Sequence, residues 1–220
     1  MSKKKGKQTP KDEREDKAAR IAAELPEDRA ALLDAAAEAV RQFDAAVMDG
    51  DNDAAHAAWD RYNAVIWKLN GGTHFGTKAH DDAPGYIVAR HCAAAPGTVP
   101  LWGQHGEFLV TVEGIRAVVR YDDGFGTMCA HFTFHSVDHD MPFISETGYR
   151  SHFTHPMGGM TVDEVAEGVM RAILAEKGRV LIAPDSRKFR KEQEAPAWLD
   201  SLPAPEAIYQ DRGGQMAFGF

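Results

Sequence analysis

Apolar residues recur every three or four positions from Glu27 onward: Leu33, Ala36, Val40, Phe43 and Val47 form one stripe, and Gly50 interrupts it. A second helical pattern starts near Asp51. Ala55, Ala58, Trp59, Tyr62, Val65, Ile66 and Leu69 make its wide apolar face, and Asp51 or Asp53 suits its positive N-terminal end. Asn70, Gly71 and Gly72 should close it, because glycine accepts the left-handed conformation that ends helices. So short a connection predicts two antiparallel neighbours, an N-terminal helical hairpin. Trp59, Tyr62 and Trp67 read as core and cover.

The pattern then changes period. Residues 73–106 are punctuated by Pro84, Pro96, Gly97 and Pro100, with Tyr86 to Ala89 as a short candidate strand. From Glu107 three β-rich runs follow, EFLVTV, IRAVVRY and TMCAHFTF, separated by Glu113-Gly114 and Asp122-Asp123-Gly124, and predict an antiparallel meander. Thr161 and Glu164 have capping-box spacing before the stripe Val162, Val165, Ala166, Val169, Ile173 and Leu174, and Gly178 supplies a stop. RVLIA, residues 179–183, reads as a compact strand ended by Pro184. The expected class is α+β, an antiparallel sheet covered by helices with the helical hairpin in front. The expected organisation is a disordered charged tail (1–20), the hairpin (21–72), an α+β core (73–185) and an extended C-terminal tail (186–220). Lys3, Lys4, Lys5 and Lys7 open the first tail, and Met216, Phe218 and Phe220 in the last could serve as a docking peptide.

Charge narrows the function. A net charge of -8 argues against a surface built throughout to neutralise phosphates, so nucleic acid is an available but not favoured partner. Cys92 and Cys129 give no disulfide framework, no basic-then-apolar leader opens the chain, and no apolar run reaches the roughly 20 residues of a bilayer span. A cytoplasmic protein without membrane insertion is expected.

Candidate chemistry concentrates between His131 and His155, where five of the ten histidines lie. On a strand, Cys129, His131, Thr133 and His135 would share one face, opposite the phenylalanines. His131 and His135 would then stand roughly 13 Å apart, too far to share an ion. His135, Asp138, His139 and Asp140 remain an N/O set for zinc or another divalent ion, although no HExxH or paired CxxC spacing accompanies them. No G-x-S-x-G elbow or phosphate-cradling glycine loop is present, so the chain leans away from an enzyme and no cofactor is predicted. In Ser145-Glu146-Thr147-Gly148-Tyr149-Arg150-Ser151-His152, Gly148 permits a turn that could present Tyr149, Arg150 and His152. Arg150 offers a planar fork for carboxylate or phosphate, or else pairs internally with Glu146 or Asp138.

The sequences NAVIWKLNGGTHFG and HSVDHDMPFISETGYRSHF, within residues 52–157, resemble the plasmid-borne fertility inhibition factor family. The resemblance implies a cytoplasmic protein that blocks conjugative transfer of a co-resident plasmid by binding the type IV secretion coupling ATPase. Ser145, Thr147, Gly148, Tyr149, Arg150, Ser151 and His152 would then form the partner-binding surface. Two rival readings are a metal-dependent nuclease or hydrolase using the His/Asp-rich stretch, and an antirestriction protein that mimics DNA through its acidic balance.

Overall fold

The computed structural model describes residues 10–122, 129–192, 195–201, 209–210 and 216–217. Four helices come first: α1 (Pro10–Ala22), α2 (Arg29–Asp49), α3 (Asn52–Leu69) and α4 (Pro84–Cys92). Asp28 and Asp51 cap α2 and α3, each accepting a backbone N–H at 3.0 Å, which satisfies donors that a helix start leaves free. Gly50 closes α2 at φ 72, and the chain reverses at once into α3. The expected hairpin is therefore present, with Ala36, Ala39, Val40, Phe43, Ala64 and Val65 sealed along its seam. α1 packs along α3, with Lys17 paired to Asp60, so residues 10–22 are helix where the sequence suggested a tail. Tyr86 to Ala89 lies in α4 rather than in a strand. Pro84 occupies the first turn, where its missing N–H costs nothing, and Val88 and Cys92 bury one helical turn apart.

A single antiparallel sheet follows, in the order β1 (Gly106–Val112), β2 (Ile115–Asp122), β3 (Ala130–Ser136) and β4 (Tyr149–Thr154). The α+β class is as the sequence predicted. The turn at Asp123-Gly124 and Met128 lie outside the described residues, as do Lys3, Lys4, Lys5, Lys7, Phe218 and Phe220. Register sorts the strands into two faces. Rows such as Phe108, Val119, Phe134, Arg150 and Tyr121, Phe132, His152 face the core, whereas Val118, His135, Tyr149 and Asp122, His131, Phe153 face outward. His131, Thr133 and His135 thus do stand opposite the phenylalanines.

α5 (Val162–Lys177) carries the expected capping box and packs on β1. RVLIA is not a strand: Val180 makes one bridge to Phe143, and Ile182 plugs the core from an irregular segment. The C-terminal part forms α6 (Pro184–Lys191), a 3-10 turn (Ala197–Ser201) and a two-residue pairing of β5 (Tyr209–Gln210) with β6 (Met216–Ala217), not an extended tail throughout. One apolar cluster joins the helical unit to the sheet. Trp102, fully buried, is the bolt: its backbone N–H donates to Asp44 of α2 at 2.9 Å, its indole N–H donates to Met160 O at 2.8 Å, and its ring meets Tyr121 edge-on. Among the described residues no helix is long and apolar enough to cross a membrane.

Candidate nucleic-acid interface

From Arg61 to His80 the chain contains no acidic residue, although acids outnumber lysine and arginine overall, 33 to 25. This run covers the end of α3 and the glycine-rich loop behind it, and carries Arg61, Lys68, His74, Lys78 and His80. Sequence reasoning took it as a helix end and as part of the family resemblance, not as a surface for nucleic acid.

The loop is folded on itself. Asn70 caps α3 and its side-chain amide donates to Thr73 O at 2.7 Å and Phe75 O at 2.9 Å, while Phe75 N–H donates to Thr73 Oγ1 at 3.1 Å. Gly72 sits at φ 87 against the Trp67 ring, a backbone state that a side chain would strain. Glu15 of α1 ties the arrangement down by accepting the His74 N–H at 3.2 Å and the Trp67 indole N–H. Phe75 is held outward, 84% exposed.

Between the loop, α1, α3 and α4 lies a cleft of about 230 Å³ lined by Arg14, Trp59, Tyr62, His74, Lys78 and His105. Arg14 and Lys78 are exposed and make no ion pair among the described residues, so their charges remain available to an anion. Trp59 contributes an indole N–H that is buried and has no hydrogen-bond partner among the described residues. Burial, then the Arg14 charge, hold His74 below its ordinary pKa, so this ring stays neutral near pH 7 and acts as a hydrogen-bonding group. Exposed cations and a protruding ring can together engage phosphate and sugar.

The stretch singled out earlier is divided between two sides of the sheet. Ser145 and Thr147 build a tight turn, with hydroxyls 2.8 Å apart and Thr147 Oγ1 donating to Tyr149 O at 3.0 Å. Gly148 has φ 65 and its carbonyl accepts Ser136 N–H at 2.9 Å. Beyond it, Tyr149 and Ser151 point outward while Arg150 and His152 share the core-side face with Phe134 and Phe132. The segment is a strand because β3 supplies its partners. Arg150 pairs with neither Glu146 nor Asp138: its Nε is buried without a partner among the described residues, and Asp138 is held by Arg116 at 2.8 and 2.5 Å.

The four metal candidates do not converge. Asp138 serves Arg116, Asp140 serves Lys191 at 2.7 Å, His139 Nδ1 lies 3.1 Å from Ser136 Oγ, and His135 packs edge-on to Tyr149. Among the described residues no group of three or more His, Cys, Asp or Glu is placed to hold an ion.

Known proteins add a likeness. Residues 17–91 match the model described as the KlcB N-terminal DNA-binding domain, and residues 105–198 match the KlcB third domain. Two Escherichia coli relatives, each named Protein KlcB, are 56% identical over 190 residues and 51% identical over 199 residues. The chain is a close homologue of the KlcB proteins. These alignments cover 86% and 89% of this chain but 47% and 43% of the relatives, so the chain spans about half the length of the KlcB proteins it matches. No solved structure matches it. The KlcB N-terminal model falls on the helical unit and includes the whole acid-free run. That weighs toward nucleic acid, which net charge had disfavoured. Neither KlcB description mentions fertility inhibition or a coupling ATPase.

Proposed function

We propose that the chain is a plasmid-associated DNA-binding protein of the KlcB kind, and that its helical unit contacts DNA through the α3 end, the glycine loop and Arg14. The carrying observation is the coincidence of the matched DNA-binding model with the stretch that an acidic chain keeps free of acid. Overall negative charge does not oppose this, because contacts to phosphate depend on the local patch, and acids elsewhere restrain non-specific adhesion. Adding duplex DNA to labelled full-length protein tests it. Backbone amide signals from residues 61–80 should shift while those of α5 stay put; shifts confined to other regions would contradict the assignment.

A second reading keeps the fertility-inhibition resemblance: the turn at Ser145–Gly148 and the strand after it would bind a coupling ATPase. The quoted motif supports it; Thr147 is exposed in the turn, and Tyr149 and Ser151 stand half-buried on the outward face. Counting transconjugants of a susceptible plasmid in donors expressing wild type or Tyr149→Ala tests it; unchanged transfer with the wild type would retire it.

A further inference from the structure

Among the described residues, only half of the outward face of the sheet is covered. Pro196 and Leu199 share the wall of one small cavity with Val118 and Arg120, and the Trp198 indole donates to Glu107 at 2.8 Å, which occupies the β1 and β2 side. On the β3 and β4 side the His131 and Phe153 rings lie parallel, with centroids 4.1 Å apart and planes 5° apart, and Phe153 is 64% exposed. His131 Nε2 is 2.8 Å from Ser151 Oγ and its Nδ1 is 3.5 Å from Asp122, so the lower ring is fixed on both edges. Two rows along, Tyr149 is packed by His135 and lies under the Arg190 guanidinium, 5.5 Å from the ring centre. Arg120, Arg190, His135 and His139 line a cavity of about 80 Å³ at that end.

We propose that this strip is a second nucleic-acid site, which takes single strands by stacking a base on Phe153 and placing a phosphate against Arg120 and Arg190. A single strand is the fitting occupant because its bases offer their flat faces, which a duplex keeps stacked inside. A ring braced from behind by a parallel imidazole has its free face ready for one more layer. Thr133 and Ser151 keep the ground between the two ends polar, unlike a surface built for an apolar peptide. Charge is graded along the strip. Asp122 at the Phe153 end lies beside the His105 and His131 rings, whereas at the Tyr149 end two guanidiniums, Arg120 and Arg190, face one carboxylate, Glu107, which pairs with Arg120 at 3.2 Å, and burial with these two cations depresses the His135 ring. The site lies on the segment that matches the KlcB third domain, apart from the helical unit, and does not depend on the duplex reading.

Fluorescence anisotropy of the full chain with a labelled oligo-dT strand tests the inference. The wild type should bind at low salt, and Phe153→Ala should weaken it roughly 5- to 100-fold, the loss of one base–aromatic stack. Phe153 is exposed, so its truncation leaves the core whole. Phe153→Trp should retain affinity and show tryptophan emission quenched by the strand, and Arg120→Gln should lower both affinity and its salt dependence. Arg171→Gln, on the far surface of α5, should bind as the wild type does. Absence of oligo-dT binding by the wild type, or equal affinity of Phe153→Ala, overturns the proposal; failure of duplex DNA to bind would strike only the helical unit.

Discussion

Gly148→Ala is the sharpest structural test, because two separable penalties meet at one position. The residue has φ 65, where an L side chain costs about 1–2 kcal/mol. An added methyl would also lie 2.8 Å from Ser136 Oγ, 3.3 Å from Ile182 Cδ1 and 3.5 Å from Arg190 Cγ. Ser136 cannot step aside at little cost. It is buried, its N–H is bonded to the Gly148 carbonyl, and its hydroxyl is engaged by His139. Overpacking of this kind costs roughly 1–3 kcal/mol, which brings the expected loss to about 2–5 kcal/mol and the fall in Tm to about 4–20 °C for a chain of this size. Gly114→Ala is the control. Its φ is 77 and nothing lies within 4 Å of the added methyl, so it should show the backbone penalty alone. Urea denaturation followed by circular dichroism measures both. Equal losses for the two variants would refute the packing argument at the Ser136–Gly148 turn.

Acid should loosen the sheet. Burial, then Arg120 and Arg190, push the His135 imidazole down to about 4, whereas in the unfolded chain it titrates near its ordinary 6.5. The unfolded state therefore binds the proton first, and stability that is complete above the unfolded value declines as pH falls from there toward about 4. The gap corresponds to about 3 kcal/mol before solvent screening and roughly 1–2 kcal/mol for a ring only half withdrawn from water. His135→Gln should flatten the stability profile over that window, and an unaltered slope would count against it. Asp51→Ala removes the cap of α3 and should cost about 1 kcal/mol in the same denaturation assay. Arg150→Ala should cost about 1 kcal/mol, the packing of a half-buried stem on the core-side face, since its Nε has no bond to lose among the described residues; a fall in Tm several times larger would mean that the side chain pins the strand after all.

Elements whose apolar period was long were readable from sequence; those defined by their neighbours were not. The seam of α2 and α3, the caps at Asp51 and Thr161, and the alternation of Phe132 and Phe134 all appear where residue spacing put them. β4 was hidden because YRSHFT is an edge strand with neither face fully buried, so it shows no apolar alternation, and its conformation is imposed by β3. RVLIA misled in the opposite direction: a short apolar run fits a strand or a buried irregular segment equally well, and here Ile182 fills the core without a full ladder. The candidate interface was half legible. The lack of acids from Arg61 to His80 is visible in the sequence, but Arg14 joins it only because Glu15 fastens α1 to the loop, a contact between residues 59 apart. Likewise Tyr149, Arg150 and His152 looked like one epitope until the strand period divided them.

The affinity of the full chain for duplex DNA as a function of salt tests the central claim most directly. With Arg14 and Lys78 as the cations of the cleft that make no ion pair among the described residues, log K against log salt should fall with a slope of at least about -2 in magnitude, and Lys78→Ala should reduce that magnitude by about 0.9 while weakening binding to all sequences alike. A slope that Lys78→Ala leaves unchanged, or no duplex binding at low salt, would contradict the account.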